Sequence, residues 1–347
     1  MTTYRKTTYA LYRLPYADYC FRVEQTDGEP LQLSSLDALN ESTGFVVAPF
    51  QTTAETPVLL IRPDQVEKLA VQLPASKGRR GESVSPADNN YRHCFEQISH
   101  LLQEDTFRKV VLARNAVLVN QHDVSPEELF WRACQCYPRL FIALVAMPDG
   151  SYWLTATPEI LLEGIGSQWR TIALAGTMQL EGEDLKSEGE RVRWSTKNIQ
   201  EQRYVATYIA NCLEQFSLRY KEEGPRTVRA AHLVHLRSDF TFTLPPQAHV
   251  GDLLAQLHPT PAVCGLPKQE TFDFIVRNEH ADRQYYSGFM GPLAMNGETH
   301  LYVSLRCMHI EDAVYRLYAG GGILKDSQLE QEWQETESKM LTMRNLL

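Results

Sequence analysis

The chain has 347 residues, of which 43% are hydrophobic, so it is long enough to bury a large core. Its formal net charge is −9 and its basic residues are dispersed, which excludes the positive stripe that tracks a nucleic acid backbone. No apolar run approaches the roughly 20 residues that span a bilayer, and the N-terminus lacks an apolar signal core. We therefore expect a cytoplasmic protein with neither nucleic acid nor a membrane as partner.

The N-terminal part of the chain predicts short strands followed by one helix. Residues 1–87 alternate short apolar runs with turn residues, and the polar stretch 74–85 indicates a loop. Residues 88–104 repeat apolar side chains at helical spacing, which predicts a helix. The next segment, 108–119, carries apolar residues on both alternating faces and predicts a strand that is covered on both sides.

The middle of the chain is rich in predicted strands. Ser125 and Pro126, followed by two acids, open a helix with a capping hydroxyl and a proline in the first position. Residues 139–147 and 151–157 flank a Pro-Asp-Gly turn and predict a hairpin, with another strand at 168–176. Strands that are joined by hairpins and grouped between helices indicate an α+β fold.

A long helix is predicted over 194–220, and it places one glutamate beside apolar residues. Glu201 lies on the edge of the face formed by Val205 and Ile209, where a charge needs a partner. Lys197, one turn earlier, offers an internal salt bridge. A metal-ligating carboxylate is the alternative, and this pattern alone leaves both open.

A second long helix, beginning near Gln328, carries acids in a similar place. Glu332, Glu335 and Lys339 line the flank of its apolar stripe at helical spacing. Such rows commonly decorate exposed helix faces as solvated salt bridges. If the two acids meet Glu201 instead, their oxygens form a cage suited to Mg²⁺.

Two further features also allow two interpretations each. Lys109 lies in the strand predicted to be covered on both sides, and burial favours the neutral amine that base chemistry needs. An ordinary lysine at a sheet edge is the alternative. Three consecutive glycines, Gly320, Gly321 and Gly322, allow backbone N–H groups to approach an anionic ligand, although a tight turn is the simpler explanation.

Ten stretches of the sequence follow one another in a recognisable order. They are RKVVLAR (108–114), ATPEILL (156–162), LAGT (174–177), STKNIQEQ (195–202), VHL (234–236), LHPTPAVCGLP (257–267), YYSGFMG (285–291), SLR (304–306), YAGGGIL (318–324) and EWQETESK (332–339). In this order they resemble the chorismate-utilising enzymes, the family that contains isochorismate, salicylate, anthranilate and aminodeoxychorismate synthases. The stretches cover roughly residues 88–347, which makes chance agreement improbable.

The resemblance implies a single chorismate-binding domain over residues 1–347. Its fold class is α+β, a large antiparallel β-sandwich flanked by helices. Residues 88–347 form the catalytic core, and residues 1–87 are a divergent part of the same fold.

The reaction that the resemblance implies is the isomerisation of chorismate to isochorismate, in which water adds at one ring carbon and a hydroxyl leaves from another. It makes Lys109 the general base that activates water and Glu159 the general acid that protonates the departing hydroxyl. Chemistry requires such a pair, because water is a poor nucleophile and hydroxide a poor leaving group. A catalytically silent chorismate-binding protein would be expected to lack Lys109 or one of the metal acids, and all are present.

The resemblance also assigns a cofactor and contacts with the substrate. It places Mg²⁺ between Glu201 and Glu335, with Glu332 close by or acting through water. It assigns substrate binding to Arg306 and Lys339 at the carboxylates, to the backbone around Gly321 and Gly322, and to Gly176, Thr177 and His235 around the ring. We expect chorismate as the small-molecule partner of a monomer, with higher oligomers left open.

A few positions discriminate between members of the family. Ala175 stands where aminodeoxychorismate synthases have a nucleophilic lysine, and anthranilate synthases lack a lysine base at the position of Lys109. The run 258–263 looks more like isochorismate synthases than salicylate synthases, which share the same base and acid. Salicylate synthase is therefore the alternative, and use of the product for menaquinone or for a siderophore is left open.

Asn198 and Gln202 depart from the aspartate and histidine that are usual at these positions in the family. These departures put the affinity of the metal site in question.

Overall fold

The computed structural model describes residues 8–74, 88–119, 124–179, 192–230, 233–312 and 314–347. In chain order the strands are β1 (Thr8–Arg13), β2 (Tyr19–Gln25), β3 (Leu31–Leu33), β4 (Gly44–Ala48), β5 (Val58–Ile61), β6 (Gln65–Ala70), β7 (Lys109–Val119), β8 (Phe141–Ala146), β9 (Tyr152–Thr157), β10 (Ile160–Ile165), β11 (Gln168–Gln179), β12 (Tyr220–Ala230), β13 (Leu233–Thr243), β14 (Gly265–Leu266), β15 (Phe289–Leu293), β16 (Glu298–Val303), β17 (Cys307–Glu311) and β18 (Val314–Ile323). The loop predicted at 74–85 lies outside the described residues except for Pro74.

These strands form two nine-stranded antiparallel sheets. The first sheet has the order β14-β7-β18-β17-β9-β8-β1-β2-β6, and the second has the order β12-β13-β11-β10-β16-β15-β4-β5-β3. Strands from the N-terminal part of the chain therefore complete both sheets. The predicted hairpin is present, because β8 pairs with β9 across the Pro-Asp-Gly turn.

The helices are α1 (Asn89–Gln103), α2 (Pro126–Cys136), α3 (Thr196–Gln215), α4 (Val250–Leu257), α5 (Lys268–Asn278) and α6 (Leu329–Arg344), with a 3₁₀ helix at Asp37–Leu39. Asp88, Ser125 and Ser195 cap the N-termini of α1, α2 and α3, and each side chain accepts a backbone hydrogen bond. The predicted starts of these helices are thus confirmed. Among the described residues, no helix is long and apolar enough to cross a membrane.

The predicted end of α3 is wrong. The helix stops at Gln215 instead of continuing to Tyr220, where β12 begins. Ser217 adopts a left-handed backbone conformation with φ of 55°, its N–H donates to Glu214, and the N–H of Leu218 donates to Leu213. This is a Schellman closure, for which glycine is the usual signal in sequence. A serine in that position gave no such signal.

The elements stack in four layers. One core fills the space between the sheets, where Phe141 of the first sheet stacks on Tyr302 of the second with ring centroids 4.3 Å apart. The outer face of the first sheet packs on α2 and α6, and that of the second packs on α3 and α4. This arrangement confirms the expected α+β class with an antiparallel β-sandwich flanked by helices.

Candidate active site

A pocket opens between the two sheets, beside α3 and α6. Eight of the residues predicted from the sequence line it: Glu159, Gly176, Thr177, Glu201, His235, Arg306, Gly322 and Lys339. The other four border on these residues from outside the pocket: Lys109, Gly321, Glu332 and Glu335. The structure therefore brings all the predicted site residues into one region, while their roles remain predictions.

Lys109 is the first residue of β7 and is fully buried, as expected of a strand covered on both sides. Its Nζ lies 2.8 Å from Oε1 of Glu201 but makes no well-oriented hydrogen bond with any described residue. Burial raises the pKa of the Glu201 carboxyl, but the positive charges of the lysines, Lys109 foremost, outweigh burial and lower it overall. The backbone N–H of Gly176 donates to Oε2 of Glu201 at 3.1 Å. Glu201 is therefore an ionised carboxylate held between the two sheets.

Three glutamates converge on the glycines of β18. A side chain on Gly321 would lie 3.3 Å from Oε2 of Glu332 and 3.8 Å from Oε1 of Glu335. A side chain on Gly322 would collide with Oε1 of Glu201. The absence of a side chain at Gly322 lets the carboxylate of α3 approach the strand, whereas at Gly321 an added Cβ would only make close contacts with the carboxylates of α6.

The carboxylates on α6 are paired with lysines. Glu332 pairs with Lys197, and Oε1 of Glu335 lies 2.8 Å from Nζ of Lys339. The Oε2 atom of Glu332 is buried and has no hydrogen-bond partner among the described residues. Burial raises the pKa of the Glu332 carboxyl, and the charge of Glu335 raises it further. These acids are close enough to repel each other.

Two of the simpler interpretations of the sequence are wrong, and a third holds only for part of the residues it concerns. Lys197 pairs with Glu332 on the opposing helix α6 and not with Glu201 on its own helix α3. The reason is that its ammonium lies nearer to the carboxylate of Glu332. The acidic row on α6 is only partly solvated, since Glu332 is 1% exposed, whereas the side chains of Glu335 and Lys339 are 27% and 19% exposed and pair with each other. The three glycines form no tight turn but lie inside the regular strand β18.

Asn198 and Gln202, the two residues that depart from the family pattern, attach α3 to the second sheet. Gln202 is buried, and its Nε2 donates to the carbonyl of Ala173 at 3.2 Å. Asn198 packs against Gly176, where an added Cβ would lie 3.2 Å from the Cβ and the carbonyl oxygen of Asn198. Both residues therefore fix the helix that carries Glu201.

Glu159 lies between β9 and β10 and is only 3% exposed. Burial raises the pKa of its carboxyl to about 8, although the positive charges of Lys109, Arg306 and Lys339 oppose the rise. Near neutral pH the group is therefore mostly protonated, which is the form that can donate a proton.

Arg306 provides a positive charge at the pocket. It lies between β16 and β17 and is buried, and burial lowers the pKa of its guanidinium to about 10. It therefore stays charged near neutral pH. Its Nη2 lies 2.5 Å from Nε2 of His235, and Gly176 and Thr177 lie on the other side of that ring. This part of the pocket suits an anionic ligand.

Tyr286 and Tyr318 line the pocket but were not predicted to do so. Their rings stack with centroids 5.4 Å apart, and the hydroxyl of Tyr318 is buried without a partner among the described residues. Both belong to stretches that carry the family resemblance. A large aromatic residue is more often part of the core, however, and these two also pack in the core between the sheets.

Comparison with known proteins gives one consistent result. A family model described as chorismate binding enzyme matches residues 55–347. Isochorismate synthase DhbC of Bacillus subtilis is 30% identical over 268 residues, which cover 74% of this chain and 67% of the relative. Isochorismate synthase MenF of Escherichia coli is 31% identical over 264 residues, which cover 76% of this chain and 61% of the relative.

The fold also has a solved counterpart. The structure of MenF, the menaquinone-specific isochorismate synthase from Escherichia coli, superposes with a TM-score of 0.84 and 24% identity, covering 99% of this chain and 90% of the other. This likeness concerns the fold.

The raised pKa of Glu159 predicts a cost in stability that can be measured without any substrate. Between the ordinary pKa near 4.5 and the folded value of about 8, the folded state holds a proton that the unfolded state has lost. Stability therefore falls as pH rises through this window, by about 1.4 kcal/mol for each unit of pKa shift. We expect Glu159→Gln to be more stable than the wild type in urea unfolding at pH 8.5, with the difference shrinking toward pH 5.

Glu163 provides the matched control for this measurement. It is also buried, but although burial raises the pKa of its carboxyl, His300, Arg170 and Tyr302 lower it to about 2. Glu163→Gln should therefore destabilise the protein at neutral pH. A stability difference for Glu159→Gln that does not change with pH would contradict the prediction.

Proposed function

Since the family model matches most of its length, this chain belongs to the family of chorismate binding enzymes, and we propose that it converts chorismate to isochorismate. The observation that carries this proposal is the pairing of functional groups at one pocket. Glu159 is a buried carboxyl that holds its proton near neutral pH, and it lies within electrostatic reach of the amine of Lys109. The names of the relatives from Bacillus subtilis and Escherichia coli support the same activity.

In the proposed reaction a bond forms between a water oxygen and C2 of the ring, the ring double bonds shift, and the bond from C4 to its hydroxyl breaks. Lys109 takes a proton from the attacking water, and Glu159 gives its proton to the departing hydroxyl, which leaves as water. Lys109 can do this only as the neutral amine, so its ion pair with Glu201 must loosen first. The acid form of Glu159 is lost as pH rises through about 8, and the rate should fall with it.

The residues present fit a divalent cation. The carboxylates of Glu201, Glu332 and Glu335 converge on two glycines, and Oε2 of Glu332 is buried without a partner among the described residues. Within the described part of the chain, no three metal-ligating side chains already stand close enough to hold an ion. The lysine pairs account for this, because each keeps a carboxylate on its own counter-ion.

We therefore propose that Glu201 and Glu335 hold Mg²⁺, with Glu332 close by. A bound Mg²⁺ would neutralise a carboxylate of the substrate and the charge of the cage. Arg306 and Lys339 would bind the substrate carboxylates, and Gly176, Thr177, His235 and the backbone around Gly321 and Gly322 would surround the ring.

The identity of the product decides the function. We expect chorismate, incubated with the enzyme and Mg²⁺, to give isochorismate as the end product in a chromatographic assay. Salicylate with equimolar pyruvate would support the salicylate synthase alternative. Incorporation of added ammonium would place the protein in an aminating branch of the family. Either result would overturn the proposal.

Lys109→Ala should lower kcat by about 10²- to 10⁴-fold, the usual worth of a general base, and leave the KM for chorismate nearly unchanged. Steady-state kinetics on a variant with a wild-type circular dichroism spectrum would test this. Lys109→Arg is the matched control, because it keeps a positive charge beside Glu201 but cannot give up its proton. It should be as slow as the alanine variant. Normal turnover of Lys109→Arg would show that only the charge matters.

The metal proposal has a readout that needs no turnover. We expect isothermal titration calorimetry to show Mg²⁺ binding to the wild type and a Kd that is higher by at least about tenfold in Glu335→Gln. Glu330→Gln is the control, since Glu330 lies on the same helix with its side chain 76% exposed. It should bind Mg²⁺ as the wild type does. Equal Kd values for all three proteins would remove Glu335 from the metal site.

A further inference from the structure

The guanidinium of Arg306 is only partly satisfied. The residue is 6% exposed, and Nη1 is buried without a hydrogen-bond partner among the described residues. Glu159 acts on it through charge and not through a hydrogen bond. The backbone at Arg306 has φ of 47°, an uncommon conformation for a side chain of this size. A buried donor left unpaired in this way costs free energy unless a ligand uses it.

The Nη2 atom of this guanidinium contacts the ring of His235. Guanidinium nitrogens only donate hydrogen bonds, so Nε2 of His235, 2.5 Å from Nη2, must be an acceptor. An imidazole that accepts at Nε2 is neutral and carries its hydrogen on Nδ1. The Nδ1 atom lies 3.2 Å from the carbonyl oxygen of Gly176 and 3.3 Å from Oγ1 of Thr177. The carbonyl can accept this hydrogen, so the backbone of β11 sets the tautomer.

The carbonyl of Gly176 reaches His235 because the strand is irregular at this residue. The pairing of β11 with β13 shifts its register between Ala175 and Thr177, and Gly176 has φ of 71°. A bulge of this kind is where glycine is favoured. Asn198 packs directly behind it, which leaves little room for a Cβ.

We propose that His235, besides lining the pocket, is a positioning residue that acts through Arg306: as a neutral acceptor it holds the guanidinium so that Nη1 faces a carboxylate of the substrate. The order of contacts is the Gly176 carbonyl, the His235 ring, the Arg306 guanidinium and then the ligand. This inference rests on the proposed function, because it takes the ligand to be the chorismate dianion. It gives His235 a role in binding and none in moving a proton.

Three substitutions of His235 separate acceptor geometry from mere packing. Glutamine can place its amide oxygen near the position of Nε2, asparagine reaches only as far as Nδ1, and leucine has no acceptor. We expect His235→Leu and His235→Asn to raise the KM for chorismate by about 10- to 100-fold, the usual worth of a hydrogen bond to a charged group, and to change kcat little. His235→Gln should bring KM back to within a few-fold of the wild-type value.

The outcomes are distinguishable from a failure of the proposed function, because the wild type is assayed first with chorismate and Mg²⁺. If it turns over chorismate and His235→Gln is as impaired in KM as His235→Asn, the positioning role is wrong. A loss confined to kcat in all three variants would instead make His235 a catalytic residue and would also overturn the inference. Should the leucine variant not fold, the comparison of glutamine with asparagine still decides.

Discussion

The ion pair between Lys109 and Glu201 is the contact on which the arrangement of the pocket depends. Moving two charges out of water costs several kcal/mol for each ion, and their attraction offsets this only when the geometry is good. The pair joins β7 of the first sheet to α3, and the Gly176 N–H ties the same carboxylate to the second sheet. One carboxylate therefore sets the separation of three elements. Without Lys109, the Gly176 N–H and the charges of Lys339 and Lys197 would still act on the Glu201 carboxylate.

Charge balance explains how so many ionisable groups share one region. The three lysines and three glutamates around Gly321 and Gly322 cancel in pairs, and Glu159 avoids a further negative charge by holding its proton. When the charges of these groups and of Arg306 are summed, the positive charge of the Arg306 guanidinium remains unbalanced. A cation that enters the cage would release lysines toward the pocket. The pocket would then become more positive, as a dianionic substrate requires.

The sequence pattern predicted features that depend on residues close together in the chain. It failed for features that depend on contacts between distant segments. The N-cap at Ser125 was recognisable because its side chain bonds to a backbone N–H only three residues further along the chain, at Glu128. The burial of Glu332 in the acidic row on α6 could not be predicted, since helical spacing says nothing about which strand lies opposite. The resemblance to a family supplied that missing information, and the structure brings its residues together. Their chemical roles follow from the resemblance and not from the geometry alone.

The position of β18 has a consequence for how the molecule folds. This strand lies between β7 and β17, and it brings Gly322 opposite Val111. Partners separated by about two hundred positions give a high contact order, which slows folding because a long loop must close before the pairing contributes. Until that happens, β7 has an unpaired edge of mostly buried, apolar residues. Such an edge is a template for pairing between molecules, so nascent or heated chains are exposed to association through β7.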